Sequence, residues 1–308
     1  MKKRHLAKRR LQLESLEQRL TMSAMPALHV PAAVAAQMAG MTPTVITPSI
    51  AKAIRQAAPK ANNVVVSYNW SGVEVANPAS APGGDATQAI QAEWIVPKVV
   101  SRKYAGTMSN WIGIGGGIIS NGGNLVQLGT QETVDSTGIY YSAWWEVVNG
   151  PDDTKHEVPL DTMIVAAGDH MFAEIEPTGS GGYYMEMVDI TGLGRSGASK
   201  DGEVFWRWLQ GETGVVAAGQ TFASSEVIPI EATTVNGQYS ALPQVTKVQF
   251  TECYVTSNNA WVPIGKAALG LEVDEIASND PHNKHGLRTK TAVSSNGLIV
   301  TTTWLSSS

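Results

Sequence analysis

From residue 62 onward the chain is a succession of short runs rich in β-branched and aromatic residues, separated by Gly, Asn, Asp and Ser. The runs include NNVVVSYNWSGVEV, ATQAIQAEWIVPKVV, SNWIGIGGG, IYYSAWWEVV, DTMIVAAGDHMFAEIEP, GGYYMEMVDIT, EVFWRWLQ, TKVQFTECYV and GLIVTTTWL. No long helical period runs through them. Strands of this length with turn signals between them predict an all-β chain, a sandwich or a barrel. No stretch reaches the length of a membrane-spanning helix, and no internal repeat is present.

Two polar side chains are out of place in this pattern. Gln127 follows Leu125 and Val126 and precedes Leu128, and Glu146 is wrapped in the aromatics of YYSAWWEVV. A buried amide or carboxylate is unfavourable unless it is paired. Either a partner satisfies each of them, or a site uses them.

Charge narrows the partners. Residues 62–308 carry twelve Lys/Arg against twenty-five Asp/Glu, a formal charge of −13. A nucleic-acid partner requires a basic face, so this excess of acid argues against one. It also suits an acidic medium, where protonated carboxyls leave little positive self-repulsion. The single cysteine, Cys253, can form no intramolecular disulfide, and inside KVQFTECYV it reads as a small buried hydrophobe. His282 and His285 have a spacing that could hold a metal on a helix, but Pro281 and Gly286 make the segment a turn.

The first 24 residues are basic yet lack the apolar centre of a secretory signal. Within them LESLEQRLTMS resembles a leader of exported planctomycete proteins, Leu-Glu-x-Leu-Glu-x-Arg-x-Leu-x-Ser, which implies an extracellular or cell-surface protein. Residues 25–61 are rich in Ala, Pro, Met and Thr and contain no acid, the composition of a disordered propeptide or linker. The organisation expected is therefore a leader at 1–24, a linker at 25–61 and one β domain at 62–308.

Familiar catalytic patterns are missing. There is no Gly-x-Ser-x-Gly elbow, no His-Glu-x-x-His pair and no Asp-Thr-Gly signature. A carboxylate and an amide are the tools that remain.

Seven segments in order, YNWSGVEV, AEWIVPKV, NWIGIGGG, LVQLGTQETV, YYSAWWEVVNGP, VAAGDHMFAEI and SSEVIPIE, resemble the glutamic peptidases, the eqolisin or peptidase G1 family, in its bacterial branch. The likeness covers about residues 62–255. It implies a β-sandwich of two bent antiparallel sheets, a lectin-like jelly roll, with a cleft on the concave face. It implies an acid endopeptidase acting on proteins or peptides, with no cofactor and no metal, and most simply a monomer. Carried over residue by residue, the family's catalytic Gln matches Gln127, and the Glu that opens its last strand matches Glu226. That Glu would take a proton from water and later return it to the leaving amine. The Gln N–H would steady the oxyanion without adding charge. Trp70, Trp111 and Trp144 match cleft positions, and Glu146 matches a glutamate beside the cleft. Trp94 is expected to pack between the sheets.

Departures concentrate at the end of the likeness. Gly115 and Gln131 stand where fungal members carry acids. Val227 replaces a Trp after the matched Glu226, the next family Glu is displaced to Glu231, and Pro229 interrupts the strand. The rival expectation is a catalytically degenerate, lectin-like binding module on the cell surface; a further one is a structural envelope protein.

Overall fold

The computed structural model describes residues 64–67, 69–76, 89–115, 125–148, 154, 156–177, 183–194, 204–209, 224–235, 238–257, 260–267, 270–276 and 287–305. The expected leader and linker, as well as His282 and His285, lie outside the described residues.

Among the described residues eighteen strands follow one another: β1 Val64–Ser67, β2 Trp70–Ala76, β3 Ile90–Ile95, β4 Gly106–Gly115, β5 Leu125–Val134, β6 Ile139–Val148, β7 Val158–Pro159, β8 His170–Pro177, β9 Tyr183–Asp189, β10 Val204–Leu209, β11 Ser224–Ala232, β12 Thr234–Val235, β13 Gln238–Tyr239, β14 Lys247–Ser257, β15 Ala260–Pro263, β16 Gly270–Ile276, β17 Thr289–Val293 and β18 Val300–Trp304. Among the described residues there is no α-helix, and no helix long and apolar enough to cross a membrane.

Sixteen of these strands form two large sheets, and β12 pairs with β13 alone. The first has the order β1-β16-β2-β11-β4-β5-β6-β7, and the second β10-β9-β8-β3-β14-β18-β17 with β15 added to β14. Pairing is antiparallel throughout both sheets except at one edge, where β1 runs parallel to β16. The architecture is the expected β-sandwich, and each sequence run quoted above contains a strand. In DTMIVAAGDHMFAEIEP the strand starts only at His170. Gly168, at φ +92, makes a turn there, which Asp169 Oδ2 closes by accepting the Ala166 N–H.

Alternation decides what each face buries. Val73, Val75, Ile112, Ile114, Val126, Leu128 and Val147 of the first sheet meet Ile90, Ala92, Met171, Ala173, Ile175, Phe250 and Val255 of the second. Trp94 lies in this core as expected. Its ring stacks on Phe250 with centroids 4.9 Å apart, and its Nε1 donates across the core to Thr130 Oγ1 at 3.0 Å. Cys253 is also in the core, and burial pushes its thiol pKa up.

One difference between the sheets positions the site. In β3 of the second sheet buried positions alternate with partly open ones. In β5 and β11 of the first sheet every position is buried. Around β5 and β11 the first sheet is therefore enclosed on both faces, and its second face carries Gln127, Gln131, Glu226 and Glu231.

Candidate active site

Directly opposed residues of antiparallel neighbours share a face. The register thus sorts the second face of the first sheet into three rows. One row runs Glu146, Gln127, Gly113, Glu226, Glu74. The next holds Trp144, Gly129, Trp111 and Ile228. The third runs Ser142, Gln131, Ser109, Glu231, Trp70. All six side chains singled out from the sequence (Trp70, Trp111, Gln127, Trp144, Glu146 and Glu226) stand on this face.

Glu231 stands here too, because β11 has a bulge. Glu226 and Glu231 are an odd number of positions apart, so a regular strand would point them to opposite faces. Between Ile228 and Glu231 the strand inserts one extra residue relative to β4. Pro229, which cannot donate to a ladder, occupies this irregular stretch. Its carbonyl accepts the Asn110 Nδ2 N–H at 2.7 Å. The proline that looked disruptive in the sequence is thus what sets the parity of Glu231.

Trp111 organises the rows. A side chain at Gly129 would place its Cβ 2.1 Å from the Asn110 carbonyl oxygen and 2.6 Å from Trp111 Cβ. A Cβ at Gly113 would come within 2.7 Å of Trp111 Cζ3. The indole therefore reaches over Gly113, the residue that stands between Gln127 and Glu226 in their row. The other end of the indole points away, and its Nε1 donates to Glu231 Oε2 at 2.5 Å. Trp70 stands edge-on to Trp111 at 5.0 Å.

The carboxyls differ in their company. Glu231 Oε1 accepts Trp70 Nε1 at 3.2 Å and Asn69 Nδ2 at 3.3 Å, in addition to the Trp111 bond on Oε2. Burial pushes its pKa up, these three N–H groups pull it back, and the result is about 7. Glu226 is fully buried, and neither of its oxygens has a well-formed hydrogen bond. Burial first and the Glu74 carboxylate second hold it well above the usual range. Gln127 Nε2 donates to Glu146 Oε2 at 2.7 Å. The amide carries a second N–H besides the one given to Glu146, and its buried Oε1 has no hydrogen-bond partner among the described residues.

Glu157 was not visible in the sequence. It lies just ahead of β7 and is 6% exposed. Its Oε2 accepts Gln131 Nε2 at 2.7 Å, and its Oε1 accepts Ser109 Oγ at 3.4 Å. Only the pairing of β7 with β6, through Val158 and Trp145 and through Pro159 and Trp144, brings it here. No local pattern encodes that pairing.

Residues 68–197 match the Peptidase A4 family. The match supports a glutamic-type peptidase, a hydrolase. Trp70, Trp111, Gln127, Trp144, Glu146 and Glu157 lie within the matched segment of the Peptidase A4 family, whereas Glu226 and Glu231 lie beyond it. Among solved structures the chain is similar to scytalidoglutamic peptidase bound to a peptide-based transition-state analogue. The TM-score is 0.56 at 18% identity, over 78% of this chain and 100% of that one. It is similar as well to SCP-B, a member of the eqolisin family in complex with the tripeptide Ala-Ile-His, with TM-score 0.55, 18% identity and the same coverage. At that identity the two structures establish the fold. No curated protein matches the chain.

Proposed function

We propose that the chain is an endopeptidase that hydrolyses peptide bonds with one glutamate and one glutamine of this face. The observation that carries the reading is the convergence of Asn69, Trp70 and Trp111 on the Glu231 carboxylate, with Gln127 presented on the same face. Glu231 is the general base. Its N–H donors keep an ionised form within reach although the site is desolvated, the condition for taking a proton from water. The second N–H of Gln127 is the donor for the oxyanion that forms when water adds to the peptide carbonyl. Trp70, Trp111 and Trp144 form the apolar wall against which an extended peptide would lie. Glu226, expected as the base from the sequence, shares the row of Gln127, but Trp111 reaches over the Gly113 that stands between them, and Glu74 opposes its ionisation.

The pH profile follows from the base. An acid enzyme was expected, but burial of Glu231 moves the rise of activity towards about pH 7. Substrates would be proteins or peptides met outside the cell, in keeping with the likeness of residues 1–24 to an export leader.

The test is cleavage of a denatured protein from about pH 4, near a model carboxylate value, upward, with pepstatin and a chelator present. Cleavage by the parent, lost in Glu231→Gln and retained in Glu226→Gln, is the expected result. Loss in Glu226→Gln with cleavage retained in Glu231→Gln would return the base to Glu226. A folded parent silent at every pH would leave a peptide- or sugar-binding module.

A further inference from the structure

Glu157 has no part in the reading above, yet its setting is not that of a loop acid. The pairing of β7 with β6 delivers its carboxyl onto the enclosed face. There it bonds Ser109 and Gln131, and Ser109 is the residue directly opposite Glu231. Ser109 is thus the neighbour that Glu157 and Glu231 have in common.

We propose that Glu157 is the second acid of this site: it gives its proton to the leaving nitrogen while Glu231 takes one from water. The proposal rests on the peptidase reading. In the first step the water oxygen bonds to the carbonyl carbon, and the proton it sheds goes to Glu231. In the second the carbon–nitrogen bond breaks, and the electron pair left on nitrogen takes the proton of Glu157. The products are one carboxylic acid and one amine. Return of the proton from Glu231 to Glu157, through water or the Ser109 hydroxyl, restores the starting state.

Two carboxyls take opposite roles when their surroundings hold protons with unequal strength. Three N–H donors favour the ionised form of Glu231. Glu157 has a single amide and a single hydroxyl, both from uncharged residues of β4 and β5. Among the described residues the ionisable groups it faces are Glu146 on β6 and Glu231 on β11. Burial, then Glu146, then Glu231 hold it well above the usual carboxylate range. Like charges so close do not ionise together. With Glu231 ionised, Glu157 keeps its proton.

The experiment is a pH series of kcat and KM on one peptide for the parent, Glu157→Gln, Glu157→Asp and Glu231→Gln, with circular dichroism as the check on folding. The parent is expected to show a bell whose falling alkaline limb reports Glu157. In Glu157→Gln that limb disappears and kcat falls on the order of 10²-fold, with KM little changed. Glu157→Asp, still an acid, keeps an alkaline limb at an intermediate kcat. An active parent with a Glu157→Gln profile of the same shape and height overturns the role of Glu157 alone. A parent that cleaves nothing overturns the peptidase reading, and this role with it. Should Glu157→Gln not fold, Glu157→Asp decides: a reduced kcat with a displaced limb supports the role, and a parental profile refutes it.

Discussion

The second face of the first sheet buries a whole group of carboxylates, whereas the outer face of the second sheet buries Glu186 and leaves Glu93, Glu174 and Glu176 partly open. On the outer face of the second sheet, Glu93 is partly open and pairs with His170 at 3.0 Å, an arrangement whose net contribution is below about 1 kcal/mol. On the second face of the first sheet, Glu74, Glu146, Glu157, Glu226 and Glu231 are all buried. For Glu157, Glu226 and Glu231 burial leaves protons bound at pH values where a solvated carboxylate has lost them. Burial of these acids costs the first sheet stability at neutral pH.

The largest effect should come from breaking the close approach that shapes this face. Gly129→Val puts side-chain atoms where the Asn110 carbonyl and Trp111 already stand. The expected outcome is a loss above about 3 kcal/mol, or failure to fold, read by thermal unfolding. A variant melting with the parent would mean that Trp111 does not lie against β5.

Next in size is the pH dependence of stability. The folded-state pKa of Glu231 is raised, so between the unfolded value and about 7 the folded protein binds more protons than the unfolded one. Stability is greatest below the unfolded value, falls as pH rises, and levels off above about 7. The share of Glu231 is roughly 3 kcal/mol across that window. Glu157 and Glu226 act with the same sign. Denaturant midpoints of the parent should therefore fall with rising pH, and Glu231→Gln should flatten the curve. A parent curve that is level or rising over this range would contradict the desolvation of the first sheet.

The face between the sheets offers a sharper contrast. Glu132 points there from β5, fully buried, and burial holds its pKa well above the usual range. It stands on the opposite side of β5 from Gln127 and Gln131. Glu132→Gln should leave cleavage unchanged. It should add about 1 kcal/mol at neutral pH, where the acid is a liability, and close to nothing near pH 4. A fall in kcat would assign the core-side acid to the site and blur the distinction between the two faces.

What the sequence made legible follows the range of the forces involved. Strand positions and the core were readable because alternation is local: Trp94 and Cys253 sit where their runs put them. Gln127 and Glu146 were readable because a polar residue inside an apolar run is itself anomalous, and they bond each other. Glu231 was obscured because its face depends on a bulge, and parity counting along SSEVIPIE gives the wrong side unless Pro229 is taken as the sign of an inserted residue. Glu157 was hidden altogether, since a two-residue strand is placed by its partner β6 and not by its own sequence.

The smallest effect belongs to the second sheet. Trp206 on β10 is 51% exposed and lies opposite Glu186, so removing it uncovers little that is dry. Its neighbour Arg207 turns the other way and lies over the Trp145 ring at 4.2 Å. Trp206→Ser should therefore stay within about 0.5 kcal/mol of the parent in a denaturant titration, with kcat and KM unchanged. Arg207→Ala, one residue along, should lose about 1 kcal/mol with the cation–π contact. If Trp206→Ser were the costlier of the two, the outer face of the second sheet would be covered like the second face of the first, and the contrast between the sheets would fail at its more exposed end.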